Sequence, residues 1–223
     1  MNLTKSFDFG DVLGYGWRVM KANFWFFVGV GIIWVLMSYL LTIIDAVQYA
    51  VPFPEFIHGI LSLILRVSDQ IISIVMSIGI VKIALSFCDE RKPSVGTLFA
   101  AMGCFWRYVA VMILYMLIVI GGCLLLIVPG IIWAVKYQYG YYFVIDKGFG
   151  PIEALKASSK TTMGVKWELL GFFAACGVIN LLGLLCLVVG LFATYPVALV
   201  ATALVYRQLA AQTFMPAVVV QEG

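Results

Sequence analysis

Lys136 is the residue whose type and position could do chemistry. It stands inside the apolar run LIVPGIIWAVKYQYGYYFVIDKGFGPIEALKASSKTTMG, Leu126 to Gly164. It falls roughly 9 Å past Pro129-Gly130 at the helical rise. An ammonium group at mid-span costs about 2.5–3.5 kcal/mol on insertion scales and less near an interface. It therefore needs an acid, a water-filled cavity or a snorkelling route. Asp69, with Arg66 one turn away, is expected at similar depth and is the natural partner. Lys136, Asp69 and Arg66 thus predict either a polar pathway or anionic-ligand site between helices, or a buried pair that fixes helix packing. Catalysis is not expected: the sequence supplies no ligating or catalytic set around the single histidine, His58, and the acids are scattered. No Ser/His/Asp, Cys/His or paired-carboxylate set can be assembled, and no metal or cofactor is expected.

The elements that must hold these residues are helices in a membrane. Of 223 residues, 64% are hydrophobic and 11% charged, against about 25% charged in soluble domains. Mean hydropathy is +1.08. Runs of roughly 20 apolar residues recur, each enough to cross about 30 Å of hydrocarbon. They are continuously apolar rather than alternating, which predicts helices and excludes a barrel. The five cysteines, Cys88, Cys104, Cys123, Cys176 and Cys186, contain no C-x-x-C and read as small apolar or reduced side chains. No cleavable leader is expected, because the first apolar run begins only at Phe24 and lacks a small-residue cleavage site.

The net charge of +3 matters less than where the charges fall. Lys5, Arg18, Lys21, Arg91, Lys92, Arg107, Lys147, Lys156, Lys160, Lys166 and Arg207 map to one side of the spans. Asp45, Glu55, His58 and Arg66 map to the other. This asymmetry predicts that both termini are cytoplasmic. Lys147, Lys156, Lys160 and Lys166 are expected to contact anionic lipid headgroups. Basic residues one or two at a time at span ends do not make a nucleic-acid surface. Ser158 to Thr162 lack the strand and Gly-rich loop of a nucleotide site. Asp146 could cap its helix or pair with Lys147 or Lys166, and the tyrosines at 137, 139, 141 and 142 suit an interfacial belt.

In order, a short amphipathic helix is predicted over Phe9–Met20, with Asp8 as N-cap and Phe9, Leu13, Trp17 and Met20 on one face. The first span follows at Phe24–Ile44. Phe56–Phe87 amounts to about 48 Å of helix, either one long helix or a short outer helix to Val67 followed by a span from Ser68; the second reading is preferred. Pro93 opens another short helix through Val95, Leu98, Phe99 and Met102, leading to a third span that ends near Val128. Pro129-Gly130 is predicted as a tight outer turn. The fourth span, Ile131–Ile145, is short and either crosses thin membrane or continues to Lys147. Pro151 starts a third short helix with Ile152, Leu155 and Ser159 on one face. Spans from Trp167 to Val189 and on to Ala211 are separated by a turn at Gly190, and a tail covers 212–223.

The resulting expectation is all-α: one transmembrane domain over 1–223, with six transmembrane helices as three hairpins. Each hairpin is preceded by a short interfacial helix, in repeat-like units 8–87, 93–147 and 151–211. Partners would be the bilayer itself, anionic headgroups, and other membrane proteins or further copies of the chain. The function expected from residues this sparse is a non-enzymatic scaffold or accessory subunit. The alternative is a transporter or channel for a small anion or lipid.

The run LLLIVPGIIWAVKYQYGYYFVIDKGFGPIEALKASSKTTMG, with ATYPVALVATALVYRQL beyond it, resembles prokaryotic six-span YciC-type membrane proteins. It also resembles the membrane domain attached to some glycerophosphodiester phosphodiesterases. The likeness covers Pro93 to Leu209, with landmarks at Pro129-Gly130, Lys136, Asp146, Glu153-Ala154, Ser158-Ser159 and Tyr206. It implies a helical protein of the prokaryotic cytoplasmic membrane and carries no reaction, since the phosphodiesterase catalytic domain has no counterpart here.

Overall fold

The computed structural model describes residues 6–48, 50–51, 54–98, 102–186 and 190–214. Among them there are nine α-helices and no strand: α1 (Phe9–Ala22), α2 (Phe24–Gln48), α3 (Glu55–Cys88), α4 (Phe105–Leu125), α5 (Ile127–Tyr137), α6 (Gly140–Lys147), α7 (Pro151–Thr161), α8 (Lys166–Leu185) and α9 (Leu191–Phe214). Five stretches of the described residues are long and apolar enough to cross a membrane: Phe24–Val47, Glu55–Cys88, Val95–Leu125, Lys166–Leu185 and Leu191–Phe214.

α3 is one continuous helix of 34 residues, about 51 Å long, rather than the preferred pair. Nothing between Val67 and Ser68 can break it. The Ser68 hydroxyl, which could have competed for the backbone, donates to the Ile64 carbonyl one turn back (2.9 Å) and stays inside the helix. The expected fourth span is instead two pieces, α5 and α6, separated at Gln138-Tyr139. Residues 95–98 and 102–104 form two 3₁₀ turns where an α-helix was expected. Phe99 lies outside the described residues. Leu98 is buried there because Gly79 of α3 has no side chain: a Cβ at 79 would stand 2.5 Å from the Leu98 carbonyl oxygen.

The short helices do not simply float at a surface. α1 begins as expected, with the Asp8 carboxylate accepting from the Asp11 amide (2.9 Å). It then runs antiparallel to α9. The Ser6 amide and carbonyl bond the Gln212 side chain (3.3 and 3.0 Å), and Gly16 sits against the Val197 backbone, where a Cβ would be 2.6 Å from the carbonyl oxygen. Val12, Gly16 and Met20 are the buried set. Phe9 and Trp17, assigned to the same apolar face, remain exposed. Tyr15 ties α1 to the end of α3 by donating to the Phe87 carbonyl (2.8 Å), and burial pushes its phenol pKa up.

α7 departs further from expectation. Ala154, Leu155, Ala157, Ser158 and Thr161 are buried, while Ile152, expected on one face with Leu155, is exposed. Small and hydroxylated side chains face the protein because they meet a neighbouring backbone at close range. The core is a cluster of α3, α4, α6, α7, α8 and α9 side chains centred on Tyr139, Tyr142, Phe143 and Tyr206. A second, smaller cluster joins α2, α3 and α9 around Phe27, Ile83 and Val200.

Candidate functional site

The α4–α5 reversal and the break after α5 position everything around Lys136. The chain turns at Leu126 (φ −165°, ψ 149°). Pro129 therefore falls in the first turn of α5, where its missing amide is harmless, and the predicted turn moves three residues upstream. Gly130 lies against Gly122. A Cβ on Gly122 would be 2.9 Å from the Gly130 Cα, and one on Gly130 would strike Cys123. The two glycines let the hairpin close. Gly190 has the corresponding role between α8 and α9, abutting Gly183 at the start of α9.

Where α5 ends, the Lys136 carbonyl loses its helical partner and accepts two hydroxyls from α7 instead. These are Ser158 Oγ (2.9 Å) and Thr162 Oγ1 (3.1 Å). A freed carbonyl in an apolar surrounding would otherwise cost about 1–3 kcal/mol, which explains why α7 turns its hydroxyls inward. The Lys136 ammonium rests over the Tyr137 ring, 4.9 Å from its centroid. No ion pair joins Lys136 to Asp69 among the described residues. Asp69 and Arg66 instead line a cleft of about 250 Å³ between α2 and α3, with Asp45, Thr42 and Gln70. The expected trio is therefore divided: two members share a cleft, and the third is not among its lining residues.

The strongest polar constellation is one the sequence reading did not assemble. Asp146, at the end of α6, accepts from Arg207 Nη1 (2.8 Å) and from the Tyr206 hydroxyl (2.9 Å), both on α9. Lys147 Nζ stands 3.5 Å from the same carboxylate oxygen. The second arm of Arg207 reaches Asp89, just past α3, at 2.8 Å. Side-chain exposure is 11% for Asp146 and 25% for Arg207, so the pair is largely desolvated and each member depends on the other. Arg107 of α4 adds a bond to the Gly148 carbonyl (2.9 Å), beside the left-handed Gly148 (φ 67°) that ends α6. One end of α3, α4, α6 and α9 is thereby fastened together. These groups make an ionic clasp, and no cluster of metal ligands occurs among the described residues.

The sequence offers Asp146 a helix cap or a pairing with Lys147 or Lys166, and of the two lysines Lys147 stands beside it. Arg207 and Asp89 were missed because they lie 61 and 57 positions away in a chain without an obvious register. The available signal was the adjacency Tyr206-Arg207 near the end of the last span, where two long polar side chains would otherwise enter lipid.

The four lysines expected at headgroups separate into three settings. Lys147 belongs to the clasp. Lys166 lines a cleft with the exposed Trp167 and with Val128, Ile131 and Val135 of α5. Lys156 and Lys160, on the outward face of α7, flank a trough of about 450 Å³ between α4, α5 and α7.

Comparison with known proteins adds relatives without a role. The chain is 28% identical over 144 residues to an uncharacterised protein of Mycobacterium bovis and to two uncharacterised proteins of Mycobacterium tuberculosis. The match takes in 64% of this chain and 44% of each relative, so the chain spans less than half the length of the proteins it matches. No family model matches, and no solved structure does. The chain is an all-helical protein with membrane-competent helices and bacterial relatives.

Proposed function

We propose that this chain is a non-enzymatic integral membrane component, a scaffold or accessory subunit of a membrane assembly in the prokaryotic cytoplasmic membrane. In this reading both termini are cytoplasmic and α2–α3, α4 with α5–α6, and α8–α9 form three hairpins. Gln138 and Tyr139 keep right-handed helical backbone angles, which supports α5 and α6, about 30 Å end to end at the helical rise, acting together as a sixth crossing. Membership of the YciC-like group fits this arrangement.

The observation that carries the scaffold reading is the internal use of polar groups. The Asp146, Arg207 and Asp89 charges satisfy one another, and the Ser158 and Thr162 hydroxyls close the Lys136 carbonyl. What remains for other molecules is largely apolar helix surface: Leu36, Tyr39, Leu40, Leu63 and Ile64 on α2 and α3, with Leu117 and Leu124 of α4 and Leu182 and Leu185 of α8. Such faces pack against lipid or against the helices of a partner. The test is purification in mild detergent. A scaffold should leave the membrane as a complex of fixed stoichiometry, and Lys136→Met should leave that complex intact. A monomer in every mild detergent would overturn the reading.

Transport of a small anion or lipid is the second reading, favoured by the cleft of Asp45, Arg66 and Asp69. Two carboxylates against one guanidinium make it a poor host for an anion, which is why the scaffold reading comes first. Flux of an anion through proteoliposomes, lost on Arg66→Gln, would reverse that order.

A further inference from the structure

We infer that the trough between α4, α5 and α7 binds one anionic phospholipid. Its phosphate would be held by Lys156, Ser159 and Lys160, and an acyl chain would lie along Leu114 and Ile118. The inference does not depend on the scaffold reading; it requires only that the chain sits in a bilayer.

Three features of the trough select this ligand. The first is its polar edge. Lys156 and Lys160 are one helical turn apart, both exposed, with Ser159 between them on the same margin, and no acidic residue lines the space. Glu153, one turn earlier on α7, is turned back to the Gly150 amide (3.4 Å). The second is the opposite wall: Leu114 and Ile118 of α4, Leu155 and Ile152 of α7, and the Tyr137 ring of α5. A free phosphate or a soluble acidic ligand would gain nothing from those walls, whereas a diacyl lipid fills them. The third is position. Lys156 lies about 8 Å along α7 from Pro151, so its stem can carry the ammonium to the headgroup layer. The exposed Trp167 and Lys166, just beyond α7, are residue types that settle at that layer.

The trough also explains why α7 is turned as it is. Its hydroxyl face is committed to the Lys136 carbonyl, which leaves the lysines pointing away from the core. The α5 break and the lipid edge are then two faces of one short helix.

The experiment is native mass spectrometry of the protein in neutral detergent, titrated separately with phosphatidylglycerol, phosphatidylcholine and inorganic phosphate. The expected result is one phosphatidylglycerol bound about tenfold more tightly than phosphatidylcholine. The double variant Lys156→Gln/Lys160→Gln should abolish that preference, while Lys92→Gln should leave it unchanged. Ile152→Glu, at an exposed wall position one turn before Lys156, should also abolish it by placing a carboxylate in the trough; it decides the question if the double variant does not fold. Equal binding of the two lipids overturns the proposal, and so does retention of the preference in Ile152→Glu. Full displacement of phosphatidylglycerol by equimolar inorganic phosphate would assign the lysines to a free anion instead.

Discussion

The α6–α9 half of the molecule and the α2–α3 hairpin solve the same problem in opposite ways. In the first, α6 and α7 are short, and side chains close the backbone around them: Ser158 and Thr162 on the Lys136 carbonyl, Arg107 on the Gly148 carbonyl, Arg207 across Asp146 and Asp89. Large aromatics fill the middle, with Tyr142 and Tyr206 stacked 5.2 Å apart and Tyr206 edge-on to Phe143 at 5.0 Å. In the second, α2 and α3 are long, unbroken and apolar, and their backbones satisfy themselves. They need little from each other, and Leu36, Tyr39, Phe56, Leu63 and Ile64 remain exposed. Irregular backbone has to be enclosed in protein, whereas continuous helix can be left to lipid or to a partner. The locked half is therefore where stability resides, and the open half is where association is expected.

The sharpest way to break this contrast is at the clasp. Arg207→Met leaves Asp146 with Lys147 and the Tyr206 hydroxyl and frees Asp89, and should cost about 2–4 kcal/mol, less than a fully buried pair because Arg207 keeps some exposure. Thermal unfolding in detergent would register it. A loss below about 0.5 kcal/mol would mean that the clasp holds nothing. Gly122→Val comes next: its side chain would meet the Gly130 backbone and Trp133, and overpacking there should cost about 1–3 kcal/mol. The double change Ser158→Ala/Thr162→Val should cost about 1–3 kcal/mol by uncovering the Lys136 carbonyl, and faster amide exchange should be confined to residues 136–142. At the small end, Leu63→Ser on α3 should change monomer stability by less than about 0.5 kcal/mol while weakening any complex.

How far the sequence could be read follows the same division. Long apolar helices announce themselves through composition, so α2, α4, α8 and α9 lie close to where Phe24, Arg107, Trp167 and Gly190 place them. The continuity of α3 was harder, because Arg66, Asp69 and Gln70 look like an interface and thereby suggested a break that the backbone has no need to make. Lys136 stands out in the sequence for its charge, whereas its carbonyl is what the fold uses. Local sequence does not reveal that, because the bond partners sit on α7 and depend on where α5 stops. The clasp was illegible for a related reason: Asp89, Asp146 and Arg207 meet only after three helices have packed. The pattern of α7 puts Ile152, Leu155 and Ser159 on one face, and the structure divides that face, burying Leu155 beside Ser158 and leaving Ile152 exposed.

The most direct test of the division between a locked core and an associating hairpin is the mass of the protein extracted in mild detergent, measured for the wild type and for Leu63→Ser/Ile64→Ser. The account predicts a discrete complex for the wild type, and a folded monomer with unchanged unfolding temperature for the variant. A wild type that is already monomeric in mild detergent would contradict it.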